Sequence, residues 1–275
     1  MVSVGNSEDP SDGFATKVSR RGLLAIAGGA GLTAVLAGCS ARMTANSTAS
    51  PLPTQQSTAT AARTAVAATP PASVDQTVAA ASDVMLCRDA WGARPALPGG
   101  RPHTIDRMTI HHSAVALPDN RGIVARLQQH QRFHQDDKGW VDIAYHAAVD
   151  RNGNIFALRD TAIAGDTATN YDTAGHFLVL CEGNFDEESI SAAQLEGAAL
   201  VCAWATRQFG IGVNTLASHK EVAAGTDCPG GDLEARLVSG DLTRRIEDRI
   251  AAGFDLQPLC GSQSAARAAA ITAGR

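Results

Sequence analysis

Between residues 84 and 259, short apolar runs alternate with longer amphipathic ones. This alternation predicts a layered α/β fold, a single domain with a central mixed β-sheet flanked by helices. The strand candidates are residues 107–112, 144–150, 155–159 and 176–182. In the last of them Phe177-Leu178-Val179-Leu180-Cys181 is apolar without alternation, as expected of a central strand covered on both faces. Asp150-Arg151-Asn152-Gly153-Asn154 places an Asn-Gly pair between two of the runs and predicts a hairpin turn. Helices are expected over 122–134, 191–209 and 233–252. In the second, Leu195, Ala198, Cys202, Ala205 and Phe209 recur at helical spacing as one buried stripe, begun by Ser191 and ended by Gly210. No internal repeat is evident.

Ahead of this region the composition changes. Ser19-Arg20-Arg21-Gly22-Leu23-Leu24 is a twin-arginine pair leading into a glycine- and alanine-rich apolar run that ends near Ala37. The run is shorter than the roughly 20 apolar residues a spanning helix needs. It closes on Leu36-Ala37-Gly38-Cys39, which resembles a lipobox, so residues 1–39 read as an export signal and Cys39 as the lipidated N-terminal residue, the contact with the membrane. An uncleaved anchor or a cut elsewhere is the alternative. Both put the body of the protein outside the cytoplasm, on the outer face of the cytoplasmic membrane or in the envelope. Residues 40–82 are dominated by Ala, Thr, Ser, Pro and Gln and cannot bury enough surface to offset their ordering entropy, so they read as a flexible tether. The alanine-rich stretch 261–275 is expected to fray or to be weakly helical, which leaves 83–260 as the folded domain. A formal net charge of −5 without a basic stripe argues against a nucleic-acid partner. A monomer is the default expectation.

Three places carry candidate metal chemistry. A catalytic zinc site uses about three imidazole or thiolate ligands and keeps the fourth position for water. His111-His112-Ser113 ends a strand, where neighbouring side chains point to opposite faces and one histidine of the pair can serve a given metal. His219-Lys220-Glu221 is followed by Cys228-Pro229-Gly230-Gly231, which sets an imidazole and a thiol at the two ends of one loop. His130 and His134 share a helix face, but Gln131 stands where a metalloprotease helix carries its glutamate base. His134 is therefore expected to pack or hydrogen-bond beside the strand of Tyr145, and His130 to be solvated.

The chain resembles the family of N-acetylmuramoyl-L-alanine amidases and peptidoglycan recognition proteins. The likeness runs through Trp91-Gly92-Ala93-Arg94, Ile110-His111-His112-Ser113-Ala114 and Gly139-Trp140-Val141-Asp142-Ile143-Ala144-Tyr145-His146. It continues through Asp150-Arg151-Asn152-Gly153, Arg159-Asp160, Glu182-Gly183-Asn184-Phe185 and the closing His219 with Cys228-Pro229-Gly230. The resemblance implies zinc held by His111, His219 and Cys228, with His112 structural. It implies Tyr145 as the catalytic tyrosine beside the metal, and Thr226 at the position of a lysine or threonine that helps hold the tetrahedral intermediate. Two departures stand out: the loop from His219 to Cys228 is one residue longer than usual, which could displace Thr226, and Ala164-Gly165-Asp166-Thr167 replaces a Gly-Ala-His of the substrate groove. His176 is not expected to replace that histidine as a ligand.

The activity so implied is zinc-dependent hydrolysis of the amide between the lactyl group of N-acetylmuramic acid and L-alanine in peptidoglycan or muropeptides. A binding module of the same fold without catalysis is the rival; such members lack the cysteine ligand, and Cys228 is present. A lipoprotein that only links membrane to wall, with a degenerate site, is a second rival. Of the six cysteines, Cys181 and Cys202 fall on apolar faces and read as free and buried, while Cys87 and Cys260 flank the domain and could join its ends. The connectivity stays open at this level.

Overall fold

The computed structural model describes residues 84–275. The twin-arginine pair, Cys39 and the tether lie outside the described residues. Strands β1 (Val84–Leu86), β2 (Arg107–His112), β3 (Ala147–Val149), β4 (Ile155–Ala157), β5 (His176–Cys181), β6 (Leu216–Ser218) and β7 (Gln257–Leu259) form one sheet in the order β6-β2-β5-β3-β4-β1-β7. The hairpin β3–β4 is antiparallel and the other pairings are parallel, so the sheet is mixed, as expected. The hairpin turns at Gly153 (φ +81°), with Asp150 and Asn154 paired across it.

Alternation along the strands splits the core in two. Met108, Ile110, Phe177 and Val179 pack on one face of the sheet with Leu200 and Ala203 of α2 (Ala192–Phe209) and with Leu242 and Ile246 of a later helix. Leu86, Phe156 and Leu180 pack on the other face with Trp91, with Ile123 and Leu127 of α1 (Ile123–Arg132) and with Ala268 and Ile271 near the C-terminus. β5 is buried along its whole length, as its uninterrupted apolar run predicts.

Ser191 caps α2 through its hydroxyl, which accepts the Gln194 N–H at 3.0 Å, and left-handed Gly210 ends it. The helix is buried well beyond the expected stripe, from Gln194 to Ala205 almost all round, because it lies between the sheet and a second helical layer, while Phe209 is only partly buried. That second layer corrects the single helix expected over 233–252. α3 (His219–Val222) is followed by α4 (Gly231–Val238) and α5 (Asp241–Ala252), and left-handed Gly240 (φ +73°) breaks the chain between the last two. The strand expected from 144 starts at Ala147, and β1, β6 and β7 were not anticipated, since three residues are too few to show a period.

The stretch after Gly261 forms α6 (Ser262–Thr272), with Ala268 and Ile271 buried. A disulfide joins Cys87 to Cys260, and Asp89 accepts hydrogen bonds from the Gly261 N–H and the Ser264 hydroxyl at the start of the helix. An acidic side chain at that end complements the helix dipole. Cys181 and Cys202 are free and buried.

Gly197 in α2 gives a prediction of unusual sign. In a helix interior glycine to alanine ordinarily stabilises by about 1 kcal/mol. Here an added Cβ would meet Val149 Cγ1 at 2.7 Å and the backbone oxygen of Gly153 at 2.8 Å. Gly197→Ala should therefore destabilise, by about 1–3 kcal/mol, in urea unfolding followed by circular dichroism; an unchanged or raised midpoint would show that helix and hairpin do not approach this closely.

Candidate metal centre

Three neighbouring parallel strands, β6, β2 and β5, end on one side of the sheet. The register pairs Ile110 with Ser218, so the next residues, His111 and His219, emerge side by side with ring centroids 4.6 Å apart. Thr109 and His111 share one face of β2, and Ile110 and His112 the other. His219 opens α3, whose start is held by a capping box: Ser218 Oγ accepts the Glu221 N–H and Glu221 Oε2 accepts the Ser218 N–H at 2.6 Å.

The loop after α3 brings Cys228 back to the same strand ends. Its carbonyl accepts the Lys220 N–H at 2.9 Å, its N–H donates to Thr226 Oγ1 at 3.1 Å, and its Sγ accepts the His112 N–H at 3.4 Å. Gly230 (φ +87°) then passes so close that a Cβ would lie 2.8 Å from both His112 Nδ1 and the Phe185 carbonyl carbon. A residue with a side chain does not fit there.

His111, His219 and Cys228 each offer a ligand atom, and these atoms lie within 4.8 Å of one another. Cys228 Sγ is 3.7 Å from His111 Nδ1, and the buried His111 Nε2 has no hydrogen-bond partner. Burial, with the neighbouring His219, holds His111 well below the usual imidazole range, and burial likewise lowers His219. Burial pushes the Cys228 thiol up to about 12. Two neutral imidazoles and a thiol that gives up its proton only beside a cation form a donor set that fits zinc.

The other histidines are engaged elsewhere. His112 stacks near Phe185 and its Nδ1 accepts the Phe185 N–H at 3.4 Å. His176 Nδ1 bonds Thr109 Oγ1 at 2.6 Å. His134 lies in a π turn (Phe133–Asp137) that continues α1; its Nδ1 accepts the Ala144 N–H at 3.1 Å and its ring faces Tyr145 at 6.1 Å, matching the expected packing. His130 is not solvated as expected: its Nε2 bonds Glu182 Oε2 at 2.9 Å. The reason is Glu182 itself, a fully buried carboxylate that also takes Arg126 Nη1 and Ser113 Oγ at 2.9 Å and draws its partners from side chains around it.

The three donor residues line a cleft of about 760 Å³ together with Tyr145, Thr226, Trp140, Asp166, Thr167 and Thr169. Tyr145 sits 5.2 Å from the His111 ring, and burial and the nearby Cys228 push its phenol upward, so it stays protonated and able to donate. Thr226 faces the cleft despite the longer loop, its oxygen engaged by Cys228 N–H and its proton available. Asp166, where the groove histidine motif is replaced, pairs with Arg159, whose guanidinium also satisfies the carbonyls of Asp142, Ile143 and Ala164. Glu182 and Arg159 stood in the quoted motifs without an assigned role. Thr169, whose Oγ1 lies 2.6 Å from His219 Nε2, carried no signal in the sequence.

Residues 101–231 match the family model described as N-acetylmuramoyl-L-alanine amidase. Peptidoglycan-recognition protein LB of Drosophila melanogaster is 30% identical over 177 residues, which span 60% of this chain and 72% of the relative. The N-acetylmuramoyl-L-alanine amidase of Homo sapiens is 29% identical over 156 residues, 54% of this chain and 26% of that longer protein. A solved structure of peptidoglycan recognition proteins LCa and LCx bound to tracheal cytotoxin aligns with a TM-score of 0.50 and 28% identity, over 54% of this chain and 91% of the other. Fold and sequence agree, and the chain belongs to the family of N-acetylmuramoyl-L-alanine amidases and peptidoglycan recognition proteins.

Proposed function

We propose that this chain is a zinc-dependent amidase that hydrolyses the bond between the lactyl group of N-acetylmuramic acid and L-alanine in peptidoglycan. The observation that carries the reading is the convergence of His111, His219 and Cys228 on one point in the cleft. They would hold the metal. When bound, zinc supplies a water acidified toward pKa ~7 and a Lewis acid for the scissile carbonyl. Two neutral imidazoles and one thiolate carry a single negative charge, and the cleft leaves room on the open side for water and substrate. Tyr145, kept protonated, donates toward oxygen as negative charge builds on it in the transition state, and Thr226 adds a second donor from the Cys228 loop. Water adds its hydroxyl to the lactyl carbonyl carbon and a proton to the alanine nitrogen, so a free stem peptide and a lactyl carboxylate result. The tracheal cytotoxin in the LCa–LCx structure supports a muropeptide as the cleft's ligand. Retention of Cys228 favours the enzyme over a binding module.

The reading extends to residues outside those described. Arg20-Arg21 and Leu36-Ala37-Gly38-Cys39 support twin-arginine export and a lipid on Cys39, which would place the amidase at the envelope beside its polymer. In the native host, Cys39→Ala should abolish incorporation of labelled fatty acid and release the protein from membranes; unchanged labelling would remove the anchor from the proposal.

Full-length protein should contain one zinc and release stem peptide from muropeptides, read by mass spectrometry. His111→Ala and Cys228→Ala should lose both metal and activity. Protein that binds muropeptides without cutting them, in its zinc-loaded form, would leave the binding module. Tyr145→Phe should keep its zinc yet lower kcat by about 10²–10³, the usual loss of one oxyanion donor; an unaltered kcat would reassign Tyr145 to packing.

A further inference from the structure

The segment that departs from the family's groove motif runs directly past the metal centre. Thr169 Oγ1 lies 2.6 Å from His219 Nε2, Thr167 Oγ1 lies 2.7 Å from Thr169 Oγ1, and Thr167 Oγ1 also accepts the Thr169 N–H at 3.1 Å. Both threonines line the cleft. Gly165 sets the segment's path: a Cβ there would meet Leu178 Cδ1 at 2.3 Å and the Ala144 carbonyl oxygen at 2.4 Å, so the backbone lies against the sheet.

We infer that Thr169 is a positioning residue for His219, fixing the ring as the tautomer protonated at Nε2 and so presenting the Nδ1 lone pair to the metal. The inference rests on the zinc reading and adds a residue to it. A neutral imidazole has one N–H and one lone pair, and the hydrogen bond made by one nitrogen decides which of them the other offers. In the inferred tautomer Thr169 Oγ1 accepts from Nε2–H and its own proton goes to Thr167 Oγ1. Thr167 Oγ1 then accepts from both the Thr169 N–H and the Thr169 O–H. His111 has no such partner on Nε2, so of the two imidazoles only His219 is oriented by a side-chain hydroxyl among the described residues. A hydroxyl beside a metal-bound histidine typically governs about 10–100-fold in metal affinity.

The test uses full-length protein as wild type, Thr169→Val, which keeps the shape and removes the hydroxyl, and Thr169→Ser, which restores it. Zinc affinity is read by competition with a chromogenic chelator, and the His219 tautomer by long-range ¹H–¹⁵N spectra of ¹⁵N-histidine-labelled protein. The Val variant is expected to bind zinc about 10–100-fold more weakly and to lose the Nε2–H signature, with Ser returning both toward wild type. If wild type takes up zinc and the Val variant matches it, or if Val and Ser weaken binding equally, the positioning role is overturned while the zinc reading stands. If wild type takes up no zinc, the metal reading falls first and this inference with it.

Discussion

The parallel registration of β6, β2 and β5 is the constraint on which the site depends. Ligands in open α/β sheets collect at the carboxyl ends of strands, where successive chain segments exit side by side. Here one register, Ile110 beside Ser218, converts two histidines 108 positions apart into neighbours, and the capping box at Ser218 makes the second of them the first residue of a helix. A slip of one residue would send His111 to the opposite face and replace it with His112. The buried strands enforce the register, because every residue of β5 is packed on both sides.

Beneath this arrangement lies a polar layer that the apolar pattern does not describe. Glu182, just past β5, collects Arg126, His130 and Ser113, while Gln194 of α2 ties its backbone carbonyl to that of Val149. Arg159 does the same for the loop under the cleft by gathering three carbonyls. Removing one member of such a buried ionic set leaves the rest uncompensated, typically at about 3–5 kcal/mol. These groups tie the cleft wall to the sheet, and Ser113, Arg126 and His130 also line the cleft.

What was legible in the sequence follows from this division. The long periodic segments were readable: β2, β5, the Asn-Gly hairpin and α2 with its Ser191 cap and Gly210 stop. The candidate ligands were readable through a family resemblance, since spacing alone sets His219 and Cys228 at the two ends of one loop but gives no reason for His111 to join them. Three-residue strands, the Gly240 break and the buried partner of His130 were not, because each is decided by contacts between segments remote in the chain. Thr169 is the extreme case, a small polar residue in an irregular segment whose significance lies wholly in what stands opposite it.

The bond between Cys87 and Cys260 encloses 172 intervening residues, and with them His111, His219 and Cys228 of the candidate metal centre. A protease that cuts an exposed loop within that span yields two pieces that remain one covalent molecule. The first cut therefore cannot by itself shed half of the site, and the fragments stay at a high effective concentration for each other. Nicked and intact protein would migrate alike until a reductant is added.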